Sequence, residues 1–155
     1  MKIFLKKIRD ILIADAYLQT LLTSIARQVH VVNISDVRNP IAPCVTFEAA
    51  GGPADPWNLN RHNNAFIIQV FSEKNYEECE NIYWNEDAAV LEEYTYAQGV
   101  KSLLHGQKYM DAIPYIEHMV ALDDPDYLFD ERSKRYILRV PYRAIFISSA
   151  SLQVR

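Results

Sequence analysis

Hydrophobic and polar positions repeat along this chain with two different periods, and the changes of period mark its elements. At the centre lies Phe66-Ile67-Ile68-Gln69-Val70-Phe71, an apolar run short, bulky and β-branched enough to be a strand. Phe66, Ile68 and Val70 share one face, and Ile67, Gln69 and Phe71 the other. Apolar residues on both faces predict an interior strand covered by a helix on one side and by a second layer or a subunit on the other. Residues 72–75 turn this strand into the longest helical pattern, 75–106, with Tyr76, Cys79 and Tyr83 on one side and Glu77, Glu78 and Glu80 on the other. Unbroken, that helix would be ~48 Å long at ~1.5 Å per residue, longer than a compact domain of this size is wide. A kink or restart is therefore predicted at residues 85–87, where Asn85 and Asp87 can cap a helix.

The flanking segments add to this unit. Residues 2–28 read as an amphipathic helix with Phe4, Ile8 and Leu12 on its apolar face, broken near Ala14-Asp15, where Asp15 is an N-cap candidate. Strands are predicted at 29–34, 44–49, 115–122 and 134–147. Residues 51–64 read as a turn-rich loop carrying Trp57, and 123–126 as an Asp-rich turn. The last strand alternates most clearly: Tyr136, Leu138, Val140, Tyr142, Ala144 and Phe146 face one way, and Arg135, Arg139 and Arg143 the other. Pro141 cannot donate to a ladder, which predicts an edge position or a bulge. The sum is an α+β fold, a mostly antiparallel sheet of about four or five strands packed against an N-terminal helix and a long central helix. Residues 1–147 form one domain in this reading, and 148–155 a polar tail.

Composition narrows the function. Half of the 155 residues are hydrophobic and 23% are charged, as in ordinary globular proteins. Sixteen Lys and Arg against 20 Asp and Glu give a net charge of −4, which speaks against specific nucleic-acid binding. Charged residues interrupt the N-terminal apolar run too often for a signal peptide, and no stretch reaches the ~20 apolar residues of a membrane span. A protein cytosolic when made is expected, with no membrane partner. Cys44 and Cys79 read as free core residues.

Chemistry-bearing motifs are sparse. The four histidines lack ligand partners at metal-binding spacing, and neither a phosphate loop nor a nucleophile elbow is present, so no catalytic residue, cofactor or metal is expected. Asp123, Asp124, Asp126 and Asp130 lack the glycine and glutamate of a calcium loop and read as a solvated hairpin turn. Asp126 with Asp130, Glu131 and Lys134 faintly resembles a metal-dependent nuclease signature, although all four fall in one short loop. The Arg135, Arg139 and Arg143 stripe is either a solvated face or half of a subunit contact with the acidic helix face from Glu77 and Glu80 to Glu93. Trp57 is either tucked onto its own core or an anchor for a partner.

The order of elements is similar to that of the tail terminator, or tail-completion, proteins of long-tailed bacteriophages. The residues that carry this are Ala-Asp-Ala-x-Leu-x-x-Leu-Leu over 14–22 and Pro-x-Val-Thr-Phe over 43–47. An apolar strand entering an acidic helix (67–80) and a hairpin whose Asp-rich turn precedes an arginine-bearing strand (123–147) complete the pattern. The resemblance implies a non-enzymatic virion protein forming a homohexameric ring at the tail–neck junction. That ring caps the tail tube protein, ends polymerisation and presents a surface to the head–tail connector or neck proteins, with DNA passing through its lumen. A head-side connector is the neighbouring alternative, and a small metal-dependent nuclease the alternative of a different class.

Overall fold

The N-terminal pattern forms two helices in the computed structural model, which describes residues 2–32, 36–51, 61–84 and 99–147. α1 spans Lys2–Ile13 and α2 Ala16–Leu21. The break falls where expected. The Asp15 carboxylate accepts from the Leu18 N–H at 2.9 Å, satisfying one of the donors a helix start leaves unpaired. Phe4, Leu5, Ile8 and Leu12 bury the apolar face of α1, and the Phe4 ring stacks on Phe146 at 4.2 Å with the edge of Phe66 at 5.5 Å.

A six-stranded sheet receives them. Its strands are β1 (Val29–His30), β2 (Cys44–Gly51), β3 (Arg61–Ser72), β4 (Tyr115–Ala121), β5 (Asp126–Asp130) and β6 (Arg135–Ile147). The order is β1-β2-β3-β6-β4, with β5 also against β6, and every pairing is antiparallel except β1 with β2. The α+β class is thus borne out. β4 and β5 lie end to end along one side of β6, against residues 142–147 and 135–139.

Several local expectations are corrected. Residues 61–64 are strand and not loop: Arg61 pairs with Ile147 and the register continues unbroken to Ser72. Two of their polar side chains are held by other strands of the sheet, Arg61 by Glu117 on β4 at 3.2 Å and His62 by stacking on Phe146 of β6 at 4.8 Å. β1 is only two residues long, and Ile34 and Trp57 lie outside the described residues. β5, expected as loop, is a strand of its own. β6 is interior and neither at an edge nor bulged at Pro141. The Pro141 carbonyl accepts from the Leu122 N–H at 2.8 Å, so the missing N–H faces the same side, where β4 has ended and β5 has not begun. A ladder gap on the neighbouring strand accommodates the proline.

After β3 the chain enters a short helix. α3 spans Tyr76–Tyr83 and ends at Trp84, whose backbone is extended. Residues 85–87, the expected restart, lie outside the described residues; the next described helix, α4, is Val100–Leu104. Gly99 precedes α4 at φ +115°, and a Cβ there would stand 2.9 Å from the carbonyl oxygens of Ile82 and Tyr83. Only glycine allows this approach to the end of α3.

One hydrophobic core joins these parts. Phe47, Ile68, Val140 and Tyr142 from the sheet meet Ile8, Leu18, Tyr83 and Leu104 from the four helices. All described α-helices bury their apolar residues on that single face. On the opposite face Ile67, Gln69, Ile137, Arg139, Arg143 and Ile145 are half-buried.

Candidate functional site

The turn from β3 into α3 sets the acidic face. Ser72, fully buried at the strand end, donates to Glu78 Oε1 at 2.7 Å and accepts from the N–H groups of Lys74 and Asn75 at 3.0 and 3.3 Å. Asn75 caps the helix by accepting from the Glu78 N–H at 2.9 Å. Glu77 and Glu78 lie in the first turn, where carboxylates complement the helix dipole. Glu77 is exposed. Glu80, one turn on, accepts from the Tyr127 hydroxyl at 2.8 Å. The inward side of α3 is fixed by Cys79, whose thiol lies 3.4 Å from the Val70 carbonyl, and by Tyr83, whose hydroxyl is 2.8 Å from that of Tyr142.

Arg135, Arg139 and Arg143 stand on the other face of the sheet, ~13 Å apart along β6 at ~3.3 Å per residue. Arg143 donates to Asn63 Oδ1 at 3.1 Å. Arg139 sits opposite Asp126 on β5, and Arg135 opposite Asp130. Cross-strand opposites of this kind stabilise a pair of strands, yet neither arginine makes an ion pair among the described residues. The acidic helix and the arginine stripe therefore occupy opposite layers, and the fold does not bring them together within one subunit.

The reading of the sequence missed an aromatic cluster on the α3 side. Tyr76 meets Tyr127 and Tyr136 edge to face at 5.4 and 4.9 Å, and Phe129 lies 4.9 Å from Tyr136. Tyr127 and Phe129 remain 46% and 41% exposed although each packs on another ring. The signal was the Tyr127-Leu128-Phe129 run between two aspartates, a short strand hidden by its charged ends.

No known family model matches the sequence, and no curated protein matches it. Among solved structures, the chain is similar to a chain of the virion of a native gene transfer agent particle. The TM-score is 0.61 at 16% identity, over 90% of this chain and 91% of that one. At that identity the likeness is one of fold.

Both thiols are held in their protonated form. Burial pushes the Cys44 thiol up to about 11; burial, then the nearby Glu78 carboxylate, pushes Cys79 up to about 12. Both cysteines are free and buried. Burial raises Tyr83 to about 12 despite the hydrogen bond with Tyr142, and raises Tyr142 further. Asp130 is lowered by its bond from the Ser133 hydroxyl and by the Arg132 N–H, the pattern of a residue that shapes the 131–134 turn. Among the described residues no three His, Cys, Asp or Glu side chains gather as a metal site. A groove of about 690 Å³ lies between α1 and residues 109–114, and Lys7 in its lining donates to Asp111 at 3.2 Å and to the Ala112 carbonyl at 2.7 Å.

Proposed function

We propose that this chain is a structural, non-enzymatic virion protein that closes into a homohexameric ring on the end of a phage tail tube. The ring ends tube polymerisation and presents the surface on which head and tail join, with DNA passing through its lumen. One observation carries this reading: over nine-tenths of its length the chain shares its fold with a chain of a virion particle. The placement of charge supports it. A ring needs a heterologous contact, one patch of a subunit against a different patch of the next. Glu77 and Glu80 on α3, and Arg135, Arg139 and Arg143 on the far face of the same sheet, supply two such patches of opposite sign. Trp57 keeps its proposed role as a partner anchor.

The head-side connector is served equally by the fold likeness, because a virion contains both kinds of ring. The two differ in what they cap. Purified protein added to growing tail tubes should stop elongation and sit at one end as a ring. Continued elongation, with binding to the portal side of capsids instead, would select the connector. The nuclease alternative has less support, since Asp126 and Asp130 lie at the two ends of β5 and the Asp130 carboxylate is taken up by Ser133 and the Arg132 N–H in the 131–134 turn. Metal-dependent DNA cleavage lost in Asp126→Ala would overturn the structural reading.

A further inference from the structure

The aromatic cluster beside α3 lies at the margin of the core, with Tyr136 packed against it and Tyr127 and Phe129 exposed. Tyr76, Tyr127, Phe129 and Tyr136 cover the joint between α3 and the β5–β6 hairpin, with the Glu80 carboxylate on Tyr127 and the exposed Glu77 next to Tyr76 along α3. Aromatic residues packed on one another at a surface and flanked by charge are the composition of an interface centre and not of a solvated face. Glu80 is held in place by the Tyr127 hydroxyl, which fixes a carboxylate beside the rings before any partner arrives. Such pre-ordering lowers the entropic cost of association.

We propose that this cluster is the anchor of the contact between neighbouring copies, and that its occupant is the Ile137–Arg139 part of the next copy's open sheet face. The inference rests on the ring reading and names the contact within it. Chemistry selects that occupant. The open face combines isoleucines, Ile67, Ile137 and Ile145, with guanidinium groups, so it offers apolar area to the rings and cations to the carboxylates. Arg139 is the central arginine of the stripe and makes no ion pair in its own subunit among the described residues. A planar guanidinium suits both an aromatic face and a carboxylate. The geometry suits a ring too, because the cluster and the arginine face lie on opposite sides of one sheet. The next copy is therefore engaged head to tail, and a two-fold pair would leave one of the patches uncovered.

Reciprocal charge exchange tests the pairing. Self-association of the purified chain, alone and on tail tubes, is followed by sedimentation and native mass measurement. Glu77→Arg and Arg139→Glu should each weaken it at least about tenfold, and the chain carrying both should recover most of the loss. Phe129→Ala should weaken it by a similar factor with an unchanged melting transition, since its ring is largely outside the core. Mixing a Glu77→Cys chain with an Arg139→Cys chain and adding a short bis-maleimide should give a mixed dimer; wild-type chains, whose cysteines are buried, should give none. If wild-type rings form but the doubly exchanged chain stays weak and no mixed dimer appears, this contact is overturned while the ring stands. If the wild-type chain stays monomeric both alone and on tail tubes, both readings fall.

Discussion

The Tyr83–Tyr142 pair gives the sharpest test of how α3 is held on the sheet. The two hydroxyls are 2.8 Å apart, and the side chains are 1% and 0% exposed. Each hydroxyl is the other's partner in an apolar surrounding. Removing one by Tyr83→Phe or Tyr142→Phe takes away a single oxygen and leaves the other hydroxyl buried with nothing to bond, at about 1–3 kcal/mol. Removing both takes away the polar problem with the bond, so the double variant should cost less than the two singles together, by about 1–2 kcal/mol. Urea denaturation of the four proteins reads this directly, and in thermal melts each kcal/mol should appear as roughly 2–4 °C in a chain of this length. Strictly additive single losses would refute the pairing. The pH dependence has a matching sign. Burial raises Tyr83 to about 12, so the native state keeps its proton while the unfolded chain releases it near the ordinary value of about 10. Stability is whole below that value and falls as pH rises through it. The double phenylalanine variant should lose that part of the alkaline decline.

Four further outcomes are expected. Phe4→Ala should cost about 3–5 kcal/mol in denaturant unfolding, because its ring lies between Phe146 and Phe66 at the centre of the core. Gly99→Ala should destabilise by ~1–3 kcal/mol or more in the same assay, since it places a Cβ against two backbone carbonyls at a φ that disfavours side chains. His30 is lowered by burial and then by the Arg9 guanidinium, so below about 6.5 the unfolded chain binds a proton that the native state refuses. Stability should fall as pH falls through that range, and less steeply in His30→Asn; an unchanged acid slope would discount it. Cys44 and Cys79, held protonated and buried, should resist iodoacetamide in the folded protein and react promptly in urea.

Much of this architecture is legible in local pattern, and the misses share a cause. The alternation of β6 is read correctly residue by residue because one face meets a core and the other does not, which is what period-two patterning records. The Asp15 break and the Asn75 cap are legible because a short polar side chain at a helix start has one dominant use. Arg61, His62, Asn63 and Asn64 read as loop because their strand state is imposed by the twelve-residue register with β6 and not by their own preference. Pro141 misled in a similar way. Its tolerance depends on an interruption between β4 and β5 that no local rule foresees. The extended backbone at Trp84 leaves no mark in the pattern, because the 3.6-residue repeat persists across that residue. For the candidate site, the residues of both charged faces were identifiable from spacing. Their placement on opposite layers was not, because it follows from the helices all lying on one side of the sheet. Nor was the Tyr76–Tyr127–Tyr136–Phe129 cluster, assembled from three separate elements.

The ring on a tube end is the central claim, and imaging tests it most directly. Electron cryomicroscopy of tail tubes assembled with this chain should show one ring of six copies on a single end of each tube, tubes of uniform length, and the arginine face of each copy against α3 of the next. Tubes that lengthen without limit and carry no density for this chain at either end would contradict the account.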